Sequence, residues 1–435
     1  MRAWQTADDR RFEKIEAPVW RATESPHTAT IRIDAGQRFQ EILGFGAAFT
    51  DASCYMFDQM TAQERKALLA ELFGADGLRL SVCRTCIGSS DYSIKEYSFD
   101  DGAEPDPELK RFSIEHDRAY ILPSLRAARE LNPDLFLFSS PWSPPGWMKA
   151  GGSMLGGSMR NKYFASYADY FVKFLEGYAA ESVRIDGVTV QNEVDTDQDG
   201  RMPAALWGQE YEISFVKDHL GPALRKANLN TKIWILDHNY ALWGRAVDEL
   251  SDPDLNRYVD GVAWHGYVGS ADAMTRVHEA FPTKHAYWTE GGPDISSPDY
   301  ATDWTKWSQT FTEILHNWAR CIVGWNLALD EKGNPNIGPF PCGGLVTVNS
   351  KTHELTRSGQ YWAFAHYSKV IERGARVLGS QGEVDGVSHL AAENTDGSRV
   401  LVLTNRGGGR QVSVAAGNQA LEVKLPSDSV TTIAW

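Results

Sequence analysis

Two glutamates, Glu193 and Glu290, have the residue type and placement best suited to chemistry in this sequence. Each follows a short run of apolar residues, and Asn192 directly precedes the first. A pair of carboxyl groups can cleave a glycosidic bond, because one protonates the leaving oxygen while the other attacks the anomeric carbon or activates water. The acid requires a raised pKa and the nucleophile must stay ionised, so their surroundings must differ. We therefore predict such a pair, with Arg84 as the cation that keeps Glu290 ionised.

Three further acids, Asp195, Asp197 and Asp199, follow Glu193 in the sequence. An EF-hand calcium loop would need a glutamate at its twelfth position, where Leu206 stands, and a helix before it. The residues before Glu193 instead form an apolar run typical of a strand. We expect these three acids to belong to a solvated loop or a cavity rim, and a calcium site of another type stays open.

Short apolar runs alternate with amphipathic stretches, and each run predicts a strand followed by a helical segment. The runs are 43–50, 78–84, 135–140, 187–192, 232–237, 261–266, 285–289 and 321–326. Helical spacing is clearest at 61–73 and 163–175. Strand–helix alternation indicates a parallel sheet, and eight repeats predict an α/β fold with a closed (β/α)₈ TIM barrel.

The two ends of the chain have strand-like patterns instead. Residues 28–34 alternate with a period of two, and further strands are predicted at 397–405, 410–414, 421–425 and 429–435. We predict an appended antiparallel β-sandwich, with residues 1–40 contributing N-terminal strands, 41–372 forming the catalytic barrel and 373–435 forming the C-terminal part of the sandwich.

In a barrel of this type, the reacting groups lie at the carboxyl ends of the strands. The predicted fourth strand ends at Glu193 and the seventh at Glu290, so the two carboxyl groups face each other. Several candidates also have a structural interpretation. Asp51 could cap the helix that follows it, His265 could be a core histidine, and Asp237-His238 could belong to the site or to the scaffold.

Charge and composition exclude several classes of function. The net charge is −14 and no basic run occurs, so a nucleic-acid partner is not expected. No apolar stretch is long enough to span a membrane, and the first residues lack the apolar segment of a signal peptide. We expect a soluble protein, secreted or periplasmic if a signal was trimmed and otherwise cytoplasmic. The oligomeric state stays open.

Cysteine and tryptophan usage bear on cofactors and ligands. Cys83 and Cys86 form a C-x-x-C that closes an apolar run, where structural thiols are a better explanation than redox or zinc chemistry. We expect no cofactor and no metal. The chain has 15 Trp residues, some of which can stack on sugar rings, although packing explains most of them.

Seven sequence motifs resemble glycoside hydrolase family 30, the glucosylceramidase and β-1,6-glucanase group. They occur in order along nearly the whole chain, at 43–52, 90–98, 140–149, 191–193, 264–267, 288–291 and 325–330. The resemblance implies a (β/α)₈ barrel with a β-sandwich built from both chain ends. It also implies a retaining mechanism with a covalent glycosyl-enzyme intermediate.

The resemblance assigns roles to individual residues. It implies that Glu193 is the acid/base, that Glu290 is the nucleophile, and that Asn192 bonds the sugar 2-hydroxyl. The remaining implied sugar-binding or nucleophile-orienting residues are Asp51, Trp142, Trp325, Asn336, His265, Tyr267 and Arg84. Val194 stands where the family usually has Pro, which predicts a different loop after the acid/base.

We therefore expect a retaining β-glycoside hydrolase, whose partner is a β-linked glucoside or a gluco-oligosaccharide such as a β-1,6-glucan. Glucosylceramidase-type activity on β-glucosyl lipids is one alternative, and the family also acts on β-fucosides and xylans. A catalytically silent carbohydrate-binding protein is the alternative from another class.

Overall fold

A computed structural model describes residues 1–26 and 30–435 of the chain. Four strands precede the barrel: β1 (Arg2–Ala7), β2 (Arg10–Ile15), β3 (Arg21–Ala22) and β4 (Ile31–Glu41). Of the strand predicted at 28–34, residues 28 and 29 lie outside the described residues, and residues 31–34 belong to β4. The strands β1 to β3 were not predicted individually.

In the described part of the chain, eight parallel strands close into a barrel, which confirms the predicted fold class. They are β5 (Gly44–Phe49), β6 (Val82–Cys86), β7 (Phe136–Ser140), β8 (Gly187–Thr189), β9 (Lys232–Asn239), β10 (Val259–His265), β11 (His285–Glu290) and β12 (Ala319–Asn326). Each overlaps one predicted apolar run. The barrel strands are almost entirely buried, which explains why they are continuous apolar runs without period-two alternation.

Helices surround the barrel and follow the strands. They are α1 (Asp51–Gln59), α2 (Ala62–Phe73), α3 (Glu115–Arg118), α4 (Ile121–Leu131), α5 (Phe164–Ala180), α6 (Gln209–Ser214), α7 (Gly221–Lys226), α8 (Trp243–Ser251), α9 (Pro253–Asn256), α10 (Asp272–Ala280), α11 (Trp304–His316) and α12 (Gly359–Ser368). The predicted helix at 61–73 is α2, which starts with a capping box between Thr61 and Glu64. Within the described ranges, no helix is both long and apolar enough to cross a membrane.

The remaining strands form two further sheets. A small sheet contains β13 (Ala328–Leu329), β14 (Val346–Val348) and β15 (Leu355–Arg357). The C-terminal strands are β16 (Arg376–Gln381), β17 (Val387–Glu393), β18 (Arg399–Asn405), β19 (Arg410–Ala416), β20 (Gln419–Leu425) and β21 (Ser429–Ala434). The last four match predicted strands, whereas β16 and β17 were not predicted.

The N-terminal and C-terminal strands share one sheet in the order β2-β1-β21-β18-β17-β16-β4-β19-β20-β3. The register of β4 against β16 shifts twice, and such irregularities bend a strand. The sheet folds over its own apolar core, which includes Ile31, Leu401 and Val423. The result is a β-sandwich that packs on the barrel through α11 and α12.

The five cysteines are free thiols. Cys83 and Cys86 lie on β6 with buried side chains. Burial raises the pKa of Cys83 to about 12, so its reactive thiolate form is disfavoured. This environment agrees with a packing role for the C-x-x-C pair.

Candidate active site

A cavity of about 610 Å³ opens at the carboxyl ends of the barrel strands. Glu193 reaches it from the loop after β8, and Glu290 reaches it from the last position of β11. Four other residues predicted for the site also line the cavity: Trp142, Asn192, Tyr267 and Trp325. The barrel therefore brings the two glutamates into one cavity with aromatic and amide groups.

Arg84 lies fully buried beneath the cavity and donates to four side chains, of which Ser140 accepts from its Nε at 3.0 Å. Its Nη1 donates to Glu290 Oε2, and its Nη2 donates at 2.7 Å to both Asn192 Oδ1 and Asp237 Oδ2. Burial alone would lower the pKa of Arg84, but the carboxylates of Asp237 and Glu290 raise it above its ordinary value. The guanidinium thus remains charged and links the carboxylate of β11 to the amide that precedes Glu193.

Glu290 accepts hydrogen bonds on both carboxylate oxygens. Arg84 donates to Oε2, and the Tyr267 hydroxyl donates to Oε1 at 3.0 Å. The ring of Tyr267 is 47% exposed, so the side chain reaches from the surface into the cavity. A donor on β6 and a donor in the loop after β10 therefore fix the carboxylate plane of Glu290 and stabilise a negative charge on it.

Glu193 has different neighbours. Its Oε2 accepts from Gln198 Nε2 at 2.7 Å, while its Oε1 lies 3.4 Å from His265 Nδ1 and 3.7 Å from His238 Nδ1. Burial would raise the pKa of Glu193, but His265, His238 and Gln198 lower it below its ordinary value in the unliganded protein. The backbone of Glu193 is left-handed, with φ of 55°, and its N–H donates to Asp237 O at 3.0 Å.

A β-bulge in β9 supplies the carboxylate that connects these groups. Ala263 lies opposite Leu236 and Trp264 lies opposite His238, so Asp237 is an extra residue in the strand. Leu236 and Asp237 have positive φ values of 70° and 46°. The bulge directs Asp237 into the barrel, where burial would raise its pKa but Arg84 and His265 hold it well below the usual range.

His265 ends β10 and is fully buried between carboxylates. Its Nε2 donates to Asp237 Oδ1 at 3.0 Å, since an ionised carboxylate can only accept. Burial would lower the pKa of His265, but the charge of Glu290, the hydrogen bond to Asp237 and the close contact with Glu193 raise it to about 9. His265 is therefore buried, as in its structural alternative, and lies outside the cavity lining, but it contacts the cavity-lining Glu193.

Two tryptophans form an aromatic wall. The rings of Trp142 and Trp325 stack with centroids 5.0 Å apart and an interplanar angle of 20°. The Arg84 guanidinium carbon lies 4.6 Å from the centre of the Trp142 ring, so the same cation supports the wall and Glu290. The flat apolar surface beside two carboxylates suits the face of a sugar ring.

Comparison with known proteins identifies the family. The model of the glycosyl hydrolase family 30 TIM-barrel domain matches residues 42–371, and that of the family 30 beta sandwich domain matches residues 374–433. The chain belongs to glycosyl hydrolase family 30. It is therefore an O-glycosyl hydrolase that acts on a β-glycoside, and this family hydrolyses with retention.

Relatives of this family 30 chain have two kinds of name. It is 35% identical to the endo-1,6-beta-D-glucanase of Neurospora crassa, over 93% of this chain and 88% of that protein. It is 32% identical to putative glucosylceramidase 3 of Caenorhabditis elegans, over 93% of this chain and 82% of that protein. The solved structure of an endo-β1,6-glucanase superimposes with a TM-score of 0.90 at 28% identity, covering 100% of this chain and 99% of that chain.

Besides the buried His265, the structure places two of the predicted sugar-binding residues outside the cavity lining. Asp51 is the first residue of α1, and both carboxylate oxygens are occupied: Oδ2 accepts from Ile94 N at 2.7 Å, and Oδ1 contacts His116 and Tyr120 at 2.8 Å each. The alternative that Asp51 is the N-cap of this helix is wrong, because Thr50 is the N-cap residue.

Asn336 is the second residue outside the lining, and its side chain folds its own loop. Its Oδ1 accepts from Gly338 N at 2.7 Å, and its Nδ2 donates to Phe340 O at 2.7 Å. These contacts, with Tyr92 donating to Phe340 O, place Phe340 and Cys342 at the cavity. In this family 30 chain, Asp51 and Asn336 therefore shape loops that approach the site.

Asp91 is the main cavity residue that the sequence analysis missed. It lies in the loop after β6, seven positions beyond Arg84, and lines the cavity while 4% exposed. Burial and the negative charges of Glu290 and Glu193 raise the pKa of Asp91 well above its usual range. A neutral carboxyl group can both donate to and accept from a sugar hydroxyl. The position of Asp91 within the family motif at 90–98 could have indicated it.

The acids after Glu193 have separate positions. Asp195 Oδ1 lies 2.5 Å from His238 Nε2, whereas Asp197 accepts from Asp199 N at 3.2 Å within the loop. Asp199 is largely exposed. Val194, where the family usually has Pro, is fully buried and accepts a backbone hydrogen bond from Trp207 N at 2.8 Å. The cluster is thus one site residue followed by a folded loop.

Proposed function

We propose that Glu290 is the nucleophile and Glu193 the acid/base of a retaining hydrolysis, and that β-1,6-linked gluco-oligosaccharides are the substrate. The observation that supports this assignment is that the two carboxylates have different hydrogen-bond and ion-pair partners. Arg84 and Tyr267 hold both oxygens of Glu290, whereas Glu193 contacts an amide and two imidazoles and, among the residues that the structure describes, no arginine.

In the first step, a carboxylate oxygen of Glu290 attacks the anomeric carbon while Glu193 gives its proton to the departing glycosidic oxygen. A bound sugar displaces water from Glu193. The loss of water disfavours the ionised form of Glu193 and raises its pKa, so that Glu193 can carry the proton. In the second step, Glu193 removes a proton from water, which attacks the anomeric carbon and releases Glu290. The ester at Glu290 has no negative charge, and this loss favours the ionised base.

The sugar-contacting groups follow from the cavity. The side-chain carbonyl oxygen of Asn192 accepts a hydrogen bond from Arg84. The amide nitrogen of Asn192 is then the group that can donate to a sugar hydroxyl. Trp142 and Trp325 offer the stacking face, and Asp91 offers a protonated carboxyl. We assign these four residues to the sugar on the non-reducing side of the cleaved bond.

Alanine variants of the two glutamates, assayed with azide on an activated aryl β-glucoside, test the assignment. Glu290→Ala should lose on the order of 10⁴- to 10⁶-fold in turnover, the range for removal of a catalytic nucleophile. Glu193→Ala should lose about 10²- to 10⁴-fold with substrates that need protonation. Azide should rescue Glu193→Ala with a β-glucosyl azide product and Glu290→Ala with an α-azide.

The exposed Asp199→Asn variant is the matched control and should keep wild-type turnover. An α-azide from Glu193→Ala would reverse the two roles. Near-normal activity of Glu290→Ala would remove it from the reaction altogether.

The substrate assignment is supported by the relatives named endo-1,6-beta-D-glucanase and by the rim of the cavity. Tyr267 and Phe340 expose 47% and 38% of their surface there, and flat rings can stack on successive sugar units. Relatives named putative glucosylceramidase favour a second candidate, a β-glucosyl lipid. Initial rates on β-1,6-gluco-oligosaccharides of increasing length, an aryl β-glucoside and glucosylceramide in detergent separate the two. Faster cleavage of glucosylceramide than of every oligosaccharide would overturn the first candidate.

A further inference from the structure

Two buried imidazole nitrogens face the same carboxylate oxygen without a hydrogen-bond partner among the described residues. They are Nδ1 of His238 and Nδ1 of His265, on side chains that are 6% and 0% exposed. They lie 3.7 Å and 3.4 Å from Glu193 Oε1. A buried polar atom without a hydrogen-bond partner destabilises the folded protein. The convergence of two such nitrogens on one carboxylate oxygen therefore needs an explanation.

The outer nitrogen of each imidazole is held by a carboxylate. His238 Nε2 lies 2.5 Å from Asp195 Oδ1, and His265 Nε2 lies 3.0 Å from Asp237 Oδ1. Each Nε2 then carries a hydrogen and each Nδ1 is directed at Glu193. A cation that binds there displaces the hydrogen that the charged His265 carries on its Nδ1. Carboxylate–histidine pairs of this kind orient the imidazole ligands of metal ions and raise their basicity.

We propose that Glu193, His238 and His265 form a binding site for a borderline divalent cation such as Zn²⁺, and that binding inhibits hydrolysis. Ligand atoms about 2.0–2.1 Å from a tetrahedral Zn²⁺ are roughly 3.4 Å apart, close to the two distances from Glu193. One oxygen and the two nitrogens lie within 4.8 Å of one another. Imidazole ligands favour Zn²⁺ or Cu²⁺ over Mg²⁺ and Ca²⁺.

The inhibitory part of the proposal rests on the proposed role of Glu193, whereas metal binding does not. A cation on Oε1 would occupy the oxygen that faces both histidines and would keep Glu193 from carrying a proton. Glu193 and His238 also line the cavity, so the fourth position of the ion is open to water or a sugar hydroxyl. Inhibition should therefore weaken as the sugar concentration rises.

Calorimetric titration of the chelator-treated full-length protein with Zn²⁺ tests binding without reference to turnover. We expect one ion per chain, and no heat from Mg²⁺ or Ca²⁺ at the same concentrations. His238→Gln and Glu193→Gln should abolish this binding. Asp195→Asn, which removes the outer support of His238, should raise the Kd about 10- to 100-fold. His316→Gln, a histidine on α11 away from the cavity, is the matched control and should bind as the wild type does.

Circular dichroism and the Tm, measured in chelator, establish whether each variant is folded. If His238→Gln does not fold, Asp195→Asn takes its place as the test of the His238 ligand. The site is disproved if the wild type binds no Zn²⁺, or if binding survives in both His238→Gln and Glu193→Gln. One Zn²⁺ could bind per chain and depend on these residues while turnover stays unchanged. That result would support the metal site and contradict the proposed inhibition. That last outcome would count against Glu193 as the acid/base, while the azide experiment would test that role independently.

Discussion

The barrel mouth and the contact between barrel and sandwich each contain a fully buried histidine, and the two differ in charge. His265 lies among Asp237, Glu193 and Glu290, which raise its pKa to about 9. His366, on α12, has only hydroxyl partners: Thr432 Oγ1 at Nδ1 and Thr6 Oγ1 at Nε2, both at 2.8 Å. Burial lowers the pKa of His366 to about 3. Equal burial thus leaves His265 positively charged and His366 neutral at neutral pH, and the neighbouring groups decide which form is present.

The same contrast extends to the surrounding groups. The mouth depends on Arg84 with two carboxylates, whereas the domain contact is held by hydroxyls. Tyr367 donates to Ser308 O at 2.7 Å, and Ser308 and Thr404 pair at 2.6 Å. Buried charge is therefore concentrated where a developing charge must be stabilised, whereas the buried surroundings of His366 are neutral. Ionised groups at the domain contact, such as the Arg320–Glu41 pair, lie at partly exposed positions.

Loss of Arg84 should produce the largest effect on stability. Arg84→Met leaves Asp237 and Glu290 buried without their cation, and breaking a buried pair costs about 3–5 kcal/mol of unfolding free energy. Urea unfolding followed by tryptophan fluorescence measures it. Arg201→Met, on the surface loop, is the control and should change stability by less than about 0.5 kcal/mol. Equal midpoints for the two variants would show that the mouth does not depend on this charge.

The neutral histidine should make stability depend on acid pH. The folded pKa of His366, about 3, lies below the value of about 6.5 for an unfolded chain, so the unfolded state binds the proton first as pH falls. Its stabilisation is present above pH 6.5 and is lost between about pH 6.5 and 3. Unfolding free energies of wild type and His366→Gln should therefore converge by about 1.4 kcal/mol per pH unit below pH 6.5. A constant difference between them from pH 7 to 4.5 would contradict the neutral interface.

A single hydroxyl at the interface should have the smallest effect. Thr6 accepts from Phe12 N at 2.9 Å and donates to His366 Nε2, so Thr6→Val leaves both without their partner. The expected cost is about 1–3 kcal/mol, read from the Tm by calorimetry. Thr302→Val, at an exposed position, provides the comparison and should be near zero. A cost for Thr6→Val as large as that of Arg84→Met would remove the distinction between the two regions.

The sequence predicted the barrel because its strands are buried on both faces and read as apolar runs with polar ends. Glu290 follows directly from that rule, whereas Glu193 lies in the loop beyond β8, which ends at Thr189 and not at the predicted position. The strands β1 and β2 were missed as individual elements because they are partly exposed, and β2 consists largely of charged residues. A strand that lacks both a continuous apolar run and clean alternation gives no periodic signal.

The site was harder to predict where backbone irregularities direct the side chains. The bulge at Asp237 turns both that residue and His238 toward the centre, and an inserted residue has no signature in apolar periodicity. Asp91 reaches the cavity from within a loop, so the strand-end rule does not find it. Asp51 also follows a barrel strand, but its carboxylate contacts Ile94, His116 and Tyr120. These partners lie more than forty residues further along the chain, so the local sequence does not predict the contacts.

The pairing of β1 with β21 and of β4 with β16 also affects how the chain is made on the ribosome. Synthesis begins at the amino terminus, so β1, β3 and β4 emerge long before β21, β20 and β16, with the whole barrel translated in between, whereas β2 has its partner β1 at once. Unpaired strands in this interval can associate with other chains. β2, which stays at an edge of the finished sheet, has Arg10, Arg11, Glu13 and Lys14 among its six residues. These charges oppose such association both during synthesis and in the folded protein.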